Sequence, residues 1–249
     1  MMRGLWRLVW LETKIFVREP MGVVGTVGIP VLIFLVLARM VADRRQEGPA
    51  DVPAFIVGDL PILGAMFIIA TTVLSLVTII AIYREGGILK RLRATPVRPA
   101  TILTAHVLVK LLFTAITLVL MFLAGRRYEL GVQQVPMVSF GAALLFSTTA
   151  IISLGFLIAS LVPSARFAQP IGTIVIYPLI GMSGLFIPVE ALPVALQLFA
   201  RSMPFTYAAS LMRGVWHGEG WAAHSGDVVG LVIIFLVFTA LSARVFRWE

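Results

Sequence analysis

The chain has 249 residues, 59% of them hydrophobic and 13% charged, with a formal net charge of +8. A soluble domain carries about 25% charged residues, so the composition excludes an ordinary soluble protein and indicates a polytopic membrane protein. Cysteine is absent, which excludes disulfides, thiol catalysis and cysteine-ligated metal. The positive charge is that of Lys and Arg collected in cytoplasmic loops rather than of nucleic-acid binding. Six helices of about 20 residues with short loops account for the length and leave no room among these residues for a soluble catalytic domain.

Residues 3–19 do not form a signal peptide, because Glu12, Lys14 and Arg18 interrupt the apolar core such a peptide needs. At 100° per residue, Arg3, Arg7, Lys14 and Arg18 fall within about 60° of one another. Leu8, Leu11, Ile15 and Phe16 take other faces, with Trp6 and Trp10 at the flanks. This predicts an interfacial helix on the cytoplasmic leaflet. Glu12 and Glu19 lie nearly opposite the basic stripe, where a carboxylate needs a cationic partner; the loop at 84–98 offers several.

Span 1 is expected at 21–40, with Gly22, Gly25 and Gly28 ahead of Pro30. No strand precedes these glycines and no Lys-Ser or Lys-Thr follows, so they indicate close packing or local flexibility rather than a phosphate loop. After a short acidic connection ending near Asp59, span 2 is expected at 61–83, with a thin polar stripe of Thr71, Ser75 and Thr78. The loop 84–98 follows. Its Ile88, Leu89 and Leu92 share one side of a short helix, Lys90, Arg91 and Arg93 point elsewhere, and Pro96 ends it.

Span 3, at 101–125, carries His106, Lys110, Thr114 and Thr117 on one face. Lys110 lies roughly 14 Å up the helix, a depth at which a charge costs about 2.5–3.5 kcal/mol on insertion scales. It either snorkels toward the cytoplasm beside a packed histidine or contacts substrate or a gate. Span 4 is expected at 136–162, with Thr149, Ser153 and Ser160 on one side and a Gly155–Ala159 step suited to helix contact. Span 5, at 168–187, is broken up by Pro170, Gly172, Pro178, Gly181 and Gly184. Residues 188–216 stay apolar but are cut by Pro188, Pro193 and Pro204. The pieces 194–202 and 205–216 are too short to cross a bilayer and are expected to dip into the outer leaflet and return. Span 6 is expected at 228–246.

Orientation follows from the loops. Arg3, Arg7, Lys14, Arg18, Arg84, Lys90, Arg91, Arg93, Arg98, Arg166, Arg244 and Arg247 fall on one side with the acids Glu12, Glu19, Glu85 and Glu249. The other side holds seven cations against eight acids, so both termini are expected in the cytoplasm.

No GxxxxGK[ST] motif is present, so the chain has no phosphate loop of its own. No Asp or Glu lies deep within a predicted span, which argues against a proton- or sodium-coupled carrier. The histidines His106, His217 and His224 match no metal spacing. Ser183 has no evident base. The chain is therefore not expected to be an enzyme or to bind a metal or cofactor itself.

The segment YREGGILKRLRATPVRPATILTAHVLVKLL, residues 83–112, resembles the stretch after the second span in type-2 ABC exporter permeases. That family includes daunorubicin-resistance-like drug exporters, polysaccharide exporters and nodulation-factor exporters. GMSGLFIPVEALPVALQLFARSMPFTYAASLMRG, residues 181–214, is similar to the family's fifth-span and re-entrant signature. The resemblance implies an all-α membrane fold. Residues 3–19, with Arg7, Glu12, Lys14, Arg18 and Glu19, would be a connecting helix. Residues 84–98, with Glu85, Gly86, Gly87, Ile88, Leu89, Leu92, Arg93, Thr95 and Pro96, would couple to an ATPase, and residues 188–216 would form an outer re-entrant hairpin. Glu85 would share ion pairs with Arg84 and the basic cluster, beside Glu12 and Glu19.

The implied machine is an exporter in a bacterial or archaeal inner membrane, built from two permeases, presumed to be a homodimer of this chain, and two separate ATPase subunits that carry ATP and Mg. Its pathway would run along a seam lined by spans 2 and 5. His106, Lys110, Tyr177, Phe186 and Pro188 are the candidate pathway or gating residues. The competing readings are a channel or an ATP-independent lipid scramblase, and a purely structural membrane subunit.

Overall fold

The computed structural model describes residues 2–46, 54–87, 99–127, 137–162 and 164–245. Its regular elements are α1 (Met2–Arg18), α2 (Pro20–Val23), α3 (Ile29–Gln46), α4 (Ala54–Glu85), α5 (Pro99–Arg127), α6 (Met137–Leu161), α7 (Ala165–Gly181), α8 (Val194–Arg201), α9 (Pro204–Trp216), α10 (Gly220–Ala223) and α11 (Ser225–Val245), with no strand among the described residues. Long apolar runs become helices because lipid offers no partner for a bare backbone N–H or C=O.

Among the described residues five helices are long and apolar enough to cross a membrane, over Pro20–Met40, Asp59–Glu85, Thr101–Arg126, Met137–Leu161 and Ser225–Val245. The predicted fifth span does not reach the expected 168–187. α7 has 17 residues and stops at Gly181, which gives it about 26 Å against a hydrocarbon core of about 30 Å. Past Gly181 the Ser183 backbone N–H and hydroxyl both turn back onto the Ile180 carbonyl. Gly184 then takes φ 85°, a region that disfavours any side chain. Ser183 is thus a buried turn residue.

The centre of the bundle is α4, which packs on α3, α5, α6, α7 and α9, and α6, which packs on α4 and α11. Both are apolar all round, as a helix with neighbours on every side requires. The Gly155–Ala159 step faces α4: a Cβ at Gly155 would stand 2.8 Å from Val73 Cγ1, so only glycine permits this approach. The glycines of span 1 play a different part. Val24–Gly28 form a single π-helical turn between α2 and α3, and Gly25 has open space around its Cα. The wide turn ends where Pro30, lacking an N–H and crowding the preceding turn, would strain a regular helix.

Span 2 also begins earlier than the expected Pro61, which lies inside α4. As a result Asp59 belongs to the helix and is buried. The two short apolar pieces are α8 and α9, joined at Ser202–Met203; Pro204 starts α9, where its missing N–H is harmless. α9 buries Phe205, Ala208, Leu211, Met212 and Val215 in the main core.

Candidate functional sites at the two ends of the central helix

The apolar window of α4 is 27 residues long, about 40 Å, and each end carries a polar cluster. At its C-terminal end Arg84 Nη1 donates to the carbonyls of Ala159 and Ser160, both at 3.0 Å, and Nη2 donates to the Val162 carbonyl. These acceptors belong to the last turn of α6, whose carbonyls have no partner within their own helix. Glu85 Oε2 accepts the Ala165 N–H at 2.6 Å, at the first residue of α7. A cation thus caps the negative end of one helix dipole and an anion the positive end of the next. Lys90, Arg91 and Arg93, the basic cluster expected to pair with Glu85, lie outside the described residues. The chain then leaves through Gly86 and Gly87, the latter at φ 63°, as a helix C-terminus commonly does.

Beside this clamp, α1 packs against α5 through Val9 and Phe16, which meet Ala105, Val109 and Phe113. Lys110 is buried between α1 and α4. Its ammonium donates to Ser75 Oγ at 2.6 Å and stands 4.0 Å from the centre of the Phe16 ring, a cation–π contact. Thr114 bonds Thr72 at 3.0 Å, again between α5 and α4. Of the span 2 stripe, Thr71 and Thr78 bond carbonyls of their own helix and only Ser75 reaches across.

Glu12 was expected to find its cationic partner in the loop at 84–98, of which residues 88–98 lie outside the described residues. Its Oε2 lies 3.5 Å from His106 Nδ1 and it accepts a hydrogen bond from Tyr83. Burial raises the Glu12 carboxyl above its ordinary pKa; the charge of Lys110 and the Tyr83 bond offset part of this. The reason is packing: Phe16 anchors α1 on α5, and that rotates Glu12 inward. Arg7, Lys14 and Arg18 on α1 and Glu19 just after it are exposed.

At the other end of α4, Asp59 Oδ2 accepts from Arg213 Nε at 2.9 Å and Nη2 at 2.8 Å, while Oδ1 lies 3.2 Å from His217 Nε2. Arg213 Nη2 also donates to the Gly184 carbonyl at 3.2 Å. One guanidinium therefore joins α4, α9 and the turn after α7. Next to it His224 sits with Nδ1 2.8 Å from Asp227 and Nε2 2.8 Å from Glu219. Ser210 of α9 donates to the same Asp227 at 2.7 Å. The His224 ring lies so close on α9 that a Cβ at Gly214 would fall 1.8 Å from its Nε2. A cavity of 710 Å³ opens here, lined by Phe186, Pro188, Arg213, His217 and His224 among others.

Carboxylates at both ring nitrogens require two N–H donors, so His224 is held as the imidazolium. Burial pushes its pKa down, but the hydrogen bonds and charges of Asp227 and Glu219 outweigh this and hold it above the ordinary value. The stabilisation is therefore complete below the unfolded value of about 6.5 and disappears as pH rises through the higher folded value. Thermal unfolding of the purified protein is expected to show a melting temperature that falls across this window. His224→Gln is expected to flatten that fall; an equally steep profile in the variant would show that another group causes it.

The five candidate pathway residues are not brought together. His106 and Lys110 are buried in the α1–α4–α5 contact, Tyr177 is exposed on α7, and Phe186 and Pro188 line the 710 Å³ cavity at the far end. Of the coupling residues, Glu85, Gly86 and Gly87 are placed as above; Ile88, Leu89, Leu92, Arg93, Thr95 and Pro96 lie outside the described residues. The sequence reading missed Asp59, Arg213, His217, His224 and Asp227 as one cluster. The signal was there in Arg213, a lone cation within the apolar stretch 205–216, which has to find an anion.

A sequence model of the ABC-2 type transporters matches residues 3–216. The chain is similar to a daunorubicin resistance ABC transporter permease protein of Streptomyces coeruleorubidus, 27% identical over 251 residues, covering 96% of this chain and 84% of that protein. It is also similar to nodulation protein J of Rhizobium leguminosarum bv. viciae, 36% identical over 96 residues, and to that of bv. trifolii, 33% identical over 96 residues. Each of those two matches spans 37% of this chain and 37% of the relative's own length. With a match that takes in α1, the central helices and the two short helices α8 and α9, the chain belongs to the ABC-2 type transporter family.

Proposed function

We propose that the chain is the transmembrane permease subunit of an ATP-driven exporter, a single permease domain over residues 1–249. It moves a hydrophobic or amphipathic substrate (a drug, lipid or glycolipid) outward through a bacterial or archaeal inner membrane. ATP and Mg are bound by a separate ATPase subunit, present in two copies beside a homodimer of this chain. In this reading α7 with the turns after it completes a sixth crossing, both termini face the cytoplasm, and α8–α9 form the outer re-entrant hairpin.

The observation that carries the reading is the Arg84–Glu85 clamp. The loop that leaves Glu85 is the expected docking element for the ATPase, and the two residues at its root are bonded to the ends of α6 and α7. A displacement of that loop is therefore passed to three membrane helices together, and a packed, bistable bundle turns such a displacement into a rigid-body shift. The exposed face of α7, with Ile174 and Tyr177, is open for the second copy and for the seam between them. Lys110, held by Ser75 and Phe16 within one chain, acts in the anchoring of α1 rather than in the pathway.

The test is purification with the ATPase encoded alongside it, followed by ATP hydrolysis across a panel of drugs, lipids and glycolipids. Leu92→Asp places a charge on the docking face and is expected to abolish substrate-stimulated hydrolysis and to reduce co-purification of the ATPase. Normal values for both would remove the coupling role. Substrate flux from the purified chain without ATP would favour a scramblase or channel.

A further inference from the structure

Between the closing turns of α5 and the opening turns of α6 lies an apolar groove of 530 Å³. Its floor is Leu118 and Phe122, both buried, and its exposed walls include Leu123 and Val138. Gly141 keeps the floor low, since even a Cβ there would stand 3.4 Å from Leu118 Cδ2. Both helices belong to membrane-crossing windows, so the groove opens sideways into hydrocarbon rather than into water. A volume in the range of small-molecule sites with almost wholly apolar walls suits an acyl chain.

One charge lies at its mouth. Arg126 is the last residue of the apolar window Thr101–Arg126 and lines the groove. It is exposed, and among the described residues it takes part in none of the ion pairs. A cation at the end of a span reaches for the headgroup layer while its stem covers apolar surface. The two features lie in the order of a phospholipid, chain below and phosphate above.

We propose that this groove binds an anionic phospholipid, one acyl chain lying over Leu118, Phe122 and Gly141 and the phosphate on Arg126. A second copy of the chain suits the groove poorly, because a twofold contact centred on it sets Arg126 against its own counterpart. The site is separate from the exposed face of α7: α7 packs on α4, α6 and α9, whereas α5 packs on α1, α3, α4 and α6. It depends on the helices lying in a membrane, not on coupling to an ATPase.

The experiment is native mass spectrometry of the full chain, purified in mild detergent, stripped of lipid and titrated with dioleoyl phosphatidylglycerol or dioleoyl phosphatidylcholine. The wild type is expected to retain one phosphatidylglycerol in preference to phosphatidylcholine. Arg126→Gln is expected to weaken phosphatidylglycerol binding by about fivefold while leaving phosphatidylcholine unchanged. Gly141→Phe fills the groove and is expected to weaken both. An unchanged headgroup preference in Arg126→Gln overturns the proposal, as does undiminished binding in Gly141→Phe. Should Gly141→Phe fail to fold, Val138→Trp at the exposed wall takes its place, and Arg126→Gln alters only an exposed side chain.

Discussion

Arg84→Gln is expected to release the α6–α7 junction from α4 and to lower the unfolding temperature of the purified chain. The guanidinium satisfies three carbonyls at the end of α6, and glutamine cannot reach them with a charge. Hydrogen bonds to charged groups contribute about 1.5–3 kcal/mol each, and because these three share one partly buried group the loss is expected to be about 2–3 kcal/mol rather than their sum. Under the proposed function the same change is expected to reduce transport for each ATP hydrolysed by the complex with an ATPase, since the proposed coupling loop would then move without carrying α6. Arg84→Lys keeps the charge but offers a single point rather than a planar fork, and should fall between. A variant that melts like the wild type and transports normally would show that the clamp transmits nothing.

Asp59→Asn should produce an effect of similar size at the opposite end of α4. Asp59 is 10% exposed at its side chain and receives both the Arg213 fork and His217. Removing one member of a buried pair strands the other, at about 3–5 kcal/mol when both are enclosed. Here the Arg213 side chain is 36% exposed, so water screens part of that penalty and about 2–3 kcal/mol is expected. Because Arg213 also holds the Gly184 carbonyl, the loss should loosen the turn after α7 together with α9. A cycle of Asp59→Asn, Arg213→Gln and the double variant, read by thermal unfolding, isolates the pair. If the double variant is as unstable as the sum of the singles, Asp59 and Arg213 do not act on each other.

These two residues illustrate what kind of information the sequence carried. Asp59 was read as part of the connection ahead of span 2, which was expected to begin at Pro61. In the structure Pro61 lies within α4, where the neighbouring helices pack around it. Its partner Arg213 is 154 residues away, and no local pattern links them. The stripe His106, Lys110, Thr114 and Thr117 was legible as one buried face of α5, because residues spaced by three and four lie on one side of a helix. That Glu12 and Phe16 of α1 would cover it was not legible.

The sequence by itself determined the membrane class, most of the crossing helices, the helix that precedes them and the family. Each depends on properties local to a segment: the length of an apolar run, the placement of proline and glycine, and the bias of Lys and Arg among loops. Only the tertiary structure decided where α7 ends, that Glu85 caps Ala165, and that Arg213 answers Asp59. Helices that are apolar all round carry almost no signal of which neighbour they will touch, since lipid tails are as apolar as leucine. The few charges choose their partners only after small residues such as Gly155 and Gly214 have set how closely the helices approach.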